Sequence, residues 1–328
     1  MALSPTITRR GMLAGATALG VRPVRAATPT KISFLTSWFA QAEHGGFYQA
    51  KATGLYEKAG LDVEIRMGGP QINGLQLLTA GAATMIMGYD IQVLNAVARG
   101  LPVVTIATSF QFDLQGLMTH EDINSIADLK GHTVLIASSS HTTFWPWLKQ
   151  RFGFDDAQAG VDTFNLAPFF VDDKLAMQAY VTSEPFEARK AGHKVKFFLF
   201  ADDGYPPYGS TITTTTGFVE QNPDAAAAFV KASLEGWRDY FRDPAPGNAL
   251  IKVDNPKMSD DRIAYSIETM KSMHVLDRGT AADGIGTMTA ARWERTRDFL
   301  VKANLLKPEA DWRRAFTTKF TDGLHISA

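Results

Sequence analysis

The side chains best suited to hold a small molecule begin in a polar segment near the start of the chain. Trp38 and His44 stand in this segment, between an apolar run at Lys31–Leu35 and a stretch with helical spacing at Phe47–Lys58. An indole presents a flat apolar face, and a neutral imidazole presents one donor and one acceptor. Open α/β sheets usually bind ligands in the loops that leave the carboxyl ends of their strands. Both residues are therefore candidate ligand contacts; a core tryptophan and a surface histidine are the structural alternative.

Polar and aromatic residues also follow the other predicted strands. The candidates among them are Tyr89, Asp90, Ser138, Ser139, Ser140, His141, Glu184, Tyr205 and Tyr208. Hydroxyls and free N–H groups at a helix start attract anions or the polar edge of a ring. A carboxylate accepts hydrogen bonds from amino groups, and tyrosine rings stack on flat ligands. Structural roles are also open: the serines and Asp90 as helix caps, Glu184 as a surface acid, and the tyrosines as parts of a rigid hinge.

No motif in the sequence indicates catalysis, a metal or a cofactor. A nucleophile elbow, a phosphate-binding glycine-lysine loop and a zinc-binding His-Glu-x-x-His helix are all missing from it. The chain has no cysteine, which excludes disulfides and thiolate ligands, and its seven histidines lack metal-ligand spacing. We therefore expect a binding protein with no catalytic residue, metal or cofactor.

The composition is typical of a soluble protein with two lobes. The 328 residues are 45% apolar and 20% charged, and a chain of this length is expected to form two domains. The net charge is −1, and four of the 33 basic residues lie in the first 26 positions, which contain no acid. Without those four, 29 basic residues stand against 34 acidic ones, a net charge of −5. We expect no binding to nucleic acid.

The first 26 residues have the pattern of an export signal. Arg9 and Arg10 open a twin-arginine-like sequence, Met12–Val21 is a mild apolar stretch, and Val24–Ala26 fits a small-x-small cleavage site. An ordinary secretory signal is the alternative. The apolar stretch is too short to span a membrane. We expect cleavage near residue 26 and a mature protein in the periplasm.

Alternating strands and helices predict an α/β fold with two lobes. Strands and helices alternate through residues 31–107, which indicates a mainly parallel sheet flanked by helices. This pattern breaks at 109–113 and again at 203–210, and we interpret the breaks as two crossings between lobes. Further along, a helix is predicted over 172–177. The predicted lobes cover 27–110 with 212–328 (lobe 1), and 111–211 (lobe 2).

One run of residues carries a family resemblance. The sequence Gly-Leu-Tyr-Glu-Lys-Ala-Gly-Leu-Asp-Val at 54–63, with Trp38 and His44, resembles the solute-binding proteins of ABC importers in the nitrate, sulfonate and taurine group. Within that group the chain most resembles the proteins that bind the pyrimidine precursor of thiamine. The resemblance implies a type II periplasmic-binding-protein fold, in which two lobes close over a small molecule and deliver it to permease subunits in the inner membrane. We expect Trp38 or Tyr208 to stack on the ring, Glu184 to accept from its amino edge, and the protein to be a monomer.

Other ligands and one other function stay open. A larger flat ring such as a flavin fits the same residues, and an alkyl sulfonate, taurine or nitrate is the alternative class, although the candidate loops hold almost no basic residue. The chain is also similar to the fungal enzyme that makes the thiamine pyrimidine with pyridoxal phosphate. The positions of that enzyme's cofactor lysine and reacting histidine correspond to Gly88 and Gln92 here, and Tyr208–Thr211 stands in place of its cysteine-rich iron motif. The sequence therefore predicts no enzymatic activity.

Overall fold

The computed structural model describes residues 1–2, 28–69 and 71–328. Within them the chain forms two five-stranded sheets flanked by helices, which confirms the predicted α/β architecture. The predicted export signal falls almost entirely on residues 3–27, outside the described residues. Among the described residues, no helix has the length and apolar character needed to cross a bilayer.

The first sheet is mainly parallel and combines strands that are distant in sequence. Its strands are β1 (Thr30–Leu35), β2 (Leu61–Arg66), β3 (Met85–Gly88), β4 (Val103–Phe110) and β10 (Gly209–Thr215). They lie in the order β2-β1-β3-β10-β4, with β10 antiparallel to β3 and β4. In β2, Leu61 and Val63 are buried while Asp62 and Glu64 are exposed, as the alternating sequence predicts.

The second sheet repeats this plan with one antiparallel strand inside it. Its strands are β5 (Gln115–Thr119), β6 (Thr133–Ile136), β7 (Ala159–Val161), β8 (Leu175–Tyr180) and β9 (Lys196–Leu199). The order is β7-β6-β8-β5-β9, and β5 runs antiparallel to β8 and β9. The helix predicted over 172–177 is wrong, because residues 172–174 form a turn and residues 175–177 begin the central strand β8. A short apolar run does not distinguish a buried strand from a helix by its periodicity.

Helices cover the two sheets. The α-helices of the described chain are α1 (Gly45–Ala52), α2 (Leu55–Lys58), α3 (Gly74–Thr79), α4 (Asp90–Ala98), α5 (Trp145–Phe152), α6 (Ala167–Val171), α7 (Glu184–Lys190), α8 (Thr216–Gln221), α9 (Pro223–Arg242), α10 (Ala245–Asp254), α11 (Asp260–Ser272) and α12 (Ala290–Lys302). Short 3-10 helices occupy Ala42–His44, Ile126–Leu129, Ser138–Thr142, Asp156–Gln158, Phe200–Asp203 and Trp312–Ala315. The long helix α9 begins with Pro223 at its first turn, where a missing N–H costs nothing.

The helix predicted over 47–58 is interrupted and begins earlier than expected. Gly54 has φ +73°, a left-handed conformation that ends α1 and opens α2. Gly45 and Gly46 lie inside α1, where they allow α9 to approach closely. A Cβ on Gly46 would lie 2.2 Å from the ring of Trp237. These glycines therefore seat α1, and the segment before it, against the core.

The chain passes between the two sheets twice. It leaves the first sheet after β4 through residues 111–114 and returns after β9 through residues 200–208. Strand β10 already belongs to the first sheet from Gly209 onward. The lobe boundaries at 110/111 and 211/212 stay a prediction. We call 111–114 and 200–208 the crossing segments.

Candidate functional site

A cavity of about 300 Å³ lies where the loops after strands of both sheets meet. It is lined from the first sheet by the segment between β1 and α1 and by the end of β3. From the second sheet it is lined by the end of β8, the start of α7 and the loop before α5. Seven of the sequence-predicted residues line it: Trp38, His44, Tyr89, Ser139, Ser140, Glu184 and Tyr205.

The other four predicted residues lie outside the cavity lining. The Asp90 carboxylate is buried and accepts hydrogen bonds from the Ile91 N–H at 2.8 Å, and from the Tyr208 N–H and the Thr296 hydroxyl, both at 3.1 Å. Burial raises the pKa of Asp90 to about 6. The Tyr208 hydroxyl accepts from the Thr289 N–H at 3.0 Å. Both residues therefore hold helix starts and crossing segments together. The remaining pair is exposed: Ser138 and His141.

His44 is buried with both ring nitrogens unbonded. It ends the 3-10 helix Ala42–His44 and faces the cavity, and neither Nδ1 nor Nε2 has a partner among the described residues. Burial lowers its pKa to about 3, so the ring is neutral at physiological pH. A neutral imidazole offers one donor and one acceptor. An unsatisfied buried polar group is costly, so this side chain is suited to a ligand that bonds to it.

Glu43, the neighbour of His44, is a buried carboxyl with one free oxygen. Its Oε1 accepts a hydrogen bond from the Thr182 hydroxyl, while Oε2 has no partner in the described structure. Burial raises the pKa of Glu43. Oε2 is therefore an acceptor without a donor in a cavity that excludes much of the solvent. Glu43 was not predicted from the sequence, although it stands directly beside a residue that was.

Glu184 lines the cavity but already bonds to the protein. It is the first residue of α7, and its Oε2 accepts from the Tyr180 N–H at 2.7 Å while Oε1 accepts from the Ser183 hydroxyl at 3.2 Å. Burial raises its pKa. The carboxyl group consequently fixes the turn between β8 and α7 at the wall of the cavity.

Two further carboxyls make the cavity acidic. Asp113, in the first crossing segment, accepts from the backbone and side-chain N–H groups of Gln115 at 3.2 and 3.1 Å, and burial raises its pKa to about 7. Asp162, after β7, also lines the cavity, and burial raises its pKa. No lysine or arginine is among the described residues of the lining. The site therefore favours donors or cations and opposes anions.

Aromatic side chains from both sheets meet at the cavity. The rings of Trp38 and Phe164 have centroids 5.7 Å apart, and one follows β1 while the other follows β7. Phe164 is 60% exposed and has φ 58°, a conformation supported by its N–H donating to the Asp162 carboxylate at 2.7 Å. Tyr89, Tyr180 and Tyr205 also contribute rings to the lining. Such faces suit a flat ring.

The loop before α5 is held by an amide. The Gln178 Oε1, on β8, accepts from the Ala137 N–H at 2.8 Å and from the Ser140 hydroxyl at 2.6 Å. The Ser140 hydroxyl is therefore bonded to the protein, whereas Ser139 lines the cavity and its hydroxyl has no hydrogen-bond partner among the residues that the structure describes. The serine loop contributes polar edge groups to the site, and its geometry depends on Gln178.

Hydrogen bonds from helix α11 and to Glu43 hold the turn before α7, on the acidic side of the cavity. The Ser266 hydroxyl of α11 donates to the Thr182 carbonyl at 3.1 Å. The Arg262 Nη2, also on α11, donates to the Ser183 hydroxyl at 2.6 Å. With the Glu43–Thr182 bond, these contacts bring the turn before α7 against the first sheet. The two sides of the cavity are thus in direct contact along this edge.

Residues that sequence reasoning missed come mainly from segments without periodicity. They are Glu43, Asp113, Asp162, Phe164, Gln178 and Tyr180. The break in periodicity near residue 111 was the one signal for Asp113. The described residues hold no cluster of three or more histidine or acidic side chains placed to bind a metal. Of the two positions compared in sequence with the fungal enzyme, Gln92 lines the cavity and Gly88 does not.

Comparison with known proteins finds a family model that matches the chain. Residues 41–246 match the family model described as NMT1/THI5 like. The riboflavin-binding protein RibY of Chloroflexus aurantiacus is 25% identical over 314 residues, which cover 92% of this chain and 89% of that protein. The formylaminopyrimidine-binding protein of Halalkalibacterium halodurans is 25% identical over 280 residues, covering 82% and 84%.

An enzyme and a solved structure are also similar. The 4-amino-5-hydroxymethyl-2-methylpyrimidine phosphate synthase of Schizosaccharomyces pombe is 32% identical over 231 residues, covering 65% of this chain and 66% of the enzyme. The periplasmic aliphatic sulphonate binding protein SsuA of Escherichia coli superposes with a TM-score of 0.66 at 18% identity, covering 87% of this chain and 91% of that one. This likeness confirms the predicted fold of periplasmic binding proteins.

Proposed function

The chain belongs to the NMT1/THI5-like family, and on that basis we propose that it is the solute-binding component of an ABC importer. It captures a small flat heterocycle, related to the pyrimidine precursor of thiamine, and delivers it to permease subunits in the inner membrane. One observation carries the ligand class: four carboxyls and several aromatic rings line the cavity, and its described lining has no lysine or arginine.

The names of two relatives support a flat nitrogen heterocycle. One is named for binding riboflavin and the other for binding formylaminopyrimidine. Both ligands contain a planar nitrogen heterocycle with hydrogen-bonding edges. A cavity of about 300 Å³ stands at the small end of ligand pockets, which span roughly 300–1,000 Å³. The size therefore favours a single ring over a flavin.

In the proposed complex the ring lies against the indole of Trp38, and its amino edge meets Glu43. The free Oε2 of Glu43 accepts from the exocyclic amino group, which supplies the donor that this buried atom lacks. His44 bonds to a ring nitrogen or a substituent, because both of its nitrogens need partners. A buried polar group left unpaired costs about 1–3 kcal/mol. Ligand selection follows from satisfying these groups together.

Glu43, rather than Glu184, is assigned the first contact with the amino group. Both oxygens of Glu184 already accept hydrogen bonds from the protein, so its role is to place the turn before α7 and to add negative charge. Trp38 takes the stacking role, because the Tyr208 ring lies outside the lining and under the guanidinium of Arg292, 4.7 Å from its centroid.

Titration calorimetry with four compounds tests the ligand class. 4-amino-5-hydroxymethyl-2-methylpyrimidine and its formylaminomethyl analogue should bind, riboflavin should bind more weakly, and taurine should not bind. A sulfonate would need to enter a cavity with four carboxyls and no lysine or arginine in the described lining. Binding of taurine without binding of either pyrimidine would contradict the proposal and favour the sulfonate class.

An enzymatic role is the second candidate, because a relative is named as a pyrimidine phosphate synthase. The proposal of a binding protein rests on the described lining, which contains no lysine for a Schiff base with pyridoxal phosphate. Incubation with pyridoxal phosphate and borohydride, followed by peptide mass spectrometry, distinguishes the two. A reduced lysine adduct in a cavity peptide would favour the enzyme.

The proposal extends to location and organisation. We propose a periplasmic monomer without catalytic activity, released from an export signal that ends near residue 26. We also propose that lobe 1 comprises 27–110 with 212–328 and lobe 2 comprises 111–211. N-terminal sequencing of native protein should find a start near Ala27. A start at Met1 or Ala2 would contradict export with cleavage.

A further inference from the structure

A second cavity, of about 260 Å³, is lined by three arginines: Arg278, Arg292 and Arg295. It is distinct from the ligand cavity, although Tyr205 lines both. No carboxyl group belongs to the part of its wall that the structure describes. The two cavities therefore have opposite electrostatic character and share one tyrosine.

Arg292 is fixed by the crossing segments. From the first turn of α12, its Nε donates to the Pro206 carbonyl at 2.7 Å, and its Nη2 donates to the Gln111 carbonyl at 2.7 Å. Its guanidinium lies over the Tyr208 ring. These bonds join both crossing segments and hold the cation in one orientation, which preorganises one wall of the cavity.

The other two arginines have far fewer partners. The Arg278 Nη2 bonds to the Asp202 carboxylate at 2.7 Å, and its guanidinium lies 4.9 Å from the centroid of Phe112. Arg295, one turn along α12 from Arg292, is exposed and has no hydrogen bond or ion pair with any residue that the structure describes. Its five N–H donors are available to a ligand.

The three cations are close enough to repel one another. Burial is the main cause that lowers the pKa of Arg292, and the charges of Arg295 and Arg278 lower it further, while Tyr208 and Asp90 oppose this. Guanidinium groups stay protonated, so this repulsion is not relieved by loss of a proton. Asp202 neutralises one of the three charges from the rim. The cavity is left with a net positive charge, and the guanidinium of Arg295 supplies free donors to it.

We propose that this second cavity binds a small oxyanion of the sulfate or phosphate class. A tetrahedral oxyanion can accept two parallel hydrogen bonds from a guanidinium whose donors are free, such as that of Arg295. It would supply the negative charge missing between Arg278, Arg292 and Arg295. Because Arg292 already bonds to both crossing segments, the bound anion stabilises the region that joins the two sheets.

Anion titration of the whole protein tests the site. Sodium sulfate and sodium phosphate are compared with sodium chloride at equal ionic strength, by calorimetry and by the thermal unfolding midpoint. We expect saturable binding of one oxyanion per chain and a higher midpoint than in chloride. Arg295→Gln should weaken binding at least tenfold without unfolding the protein, because this side chain makes no structural bond. Arg292→Gln is unsuitable, since it removes bonds that hold the crossing segments.

A matched control and a cleft variant decide the location. Arg314→Gln changes an exposed arginine of the 3-10 helix Trp312–Ala315, outside both cavities, and should bind the oxyanions as wild type does. Ser139→Ala, in the ligand cavity, should also leave oxyanion binding unchanged. Absence of saturable binding overturns the proposal, as does equal weakening by Arg314→Gln. Loss in Ser139→Ala with retention in Arg295→Gln would place the anion in the ligand cavity and likewise overturn it.

Discussion

The sharpest test of the proposed ligand site is the substitution Glu43→Gln. It keeps the size of the side chain and replaces an ionisable carboxyl group whose Oε2 has no protein partner in the described structure. The Thr182 hydroxyl can rotate, so it can donate to the glutamine oxygen or accept from the glutamine amide. The variant should therefore fold normally while it loses the charge-assisted contact to an amino group.

The magnitude follows from the kind of hydrogen bond that is lost. If the glutamine turns its oxygen to the ligand, a charged hydrogen bond of about 1.5–3 kcal/mol becomes a neutral one of about 0.5–1.5 kcal/mol. If its amide faces the ligand, a donor opposes a donor and the loss is larger. We expect pyrimidine binding to weaken roughly 10- to 100-fold, about 1.4–2.8 kcal/mol.

Calorimetry on four proteins carries the assay: wild type, Glu43→Gln, Glu184→Gln and Glu220→Gln. Glu220, at the exposed end of α8, is the control for loss of one negative charge. Without ligand, the unfolding midpoint of Glu43→Gln should equal or exceed that of wild type, because burial disfavours the ionised carboxyl. Equal pyrimidine affinities of wild type and Glu43→Gln would refute the assignment. A larger loss in Glu184→Gln than in Glu43→Gln would restore the role first expected for Glu184.

Three other predictions concern packing and pH. Phe164→Ala should weaken pyrimidine binding, measured by calorimetry, roughly fivefold, about 1 kcal/mol. The thermal unfolding midpoint of the ligand-free protein should stay unchanged, because Phe164 is 60% exposed. An unchanged affinity would contradict a ligand contact. The pKa of Asp113 is raised to about 7, so between pH 5 and 7 the folded protein holds a proton that the unfolded chain has released, and stability falls as the pH rises. Urea unfolding should show that the free energy of unfolding of wild type falls by up to about 1.4 kcal/mol per pH unit relative to that of Asp113→Asn in this window. His44, with its pKa lowered to about 3, contributes the opposite slope in both proteins, so its contribution cancels in the comparison. Parallel plots of unfolding free energy against pH would contradict the prediction. Gly46→Ala should lower the free energy of unfolding by about 1–3 kcal/mol, because the new Cβ would lie 2.2 Å from the indole ring of Trp237. Gly217→Ala is the control, because a Cβ there has nothing within 4 Å. Equal thermal unfolding midpoints for the two variants would refute this account.

Strand-end loops were accessible to sequence reasoning because their position follows from local pattern. A strand, a polar break and a helix occur in sequence at Lys31–Lys58, and the geometry of a parallel sheet then places Trp38 and His44 at its binding edge. The same reasoning places Tyr89 after β3. Local pattern also carried the alternation that identifies β2. These features depend on few residues that are close in the chain.

The remaining site residues depend on how the two sheets face each other. Asp162 and Phe164 follow β7, a short strand that had no clear periodicity, and they reach the cavity because the second sheet faces the first. Position in the sequence predicts ligand contacts for Asp90 and Tyr208, yet the two residues bond to each other across 118 positions of the chain. Sequence pattern does not predict which of two neighbouring polar side chains faces the cavity. That choice is made by packing against distant helices such as α12.

Strand β10 has a consequence for how the protein is made. It stands between β3 and β4, so until residue 209 leaves the ribosome both of those strands expose an unpaired edge. At about 5–20 residues per second, synthesis of the stretch between β4 and β10 takes about 5–20 s. During that time the buried face of the first sheet is incomplete and two strand edges are open to other chains. The first sheet is therefore open to pairing with other chains for the longest time, even though four of its five strands are made first.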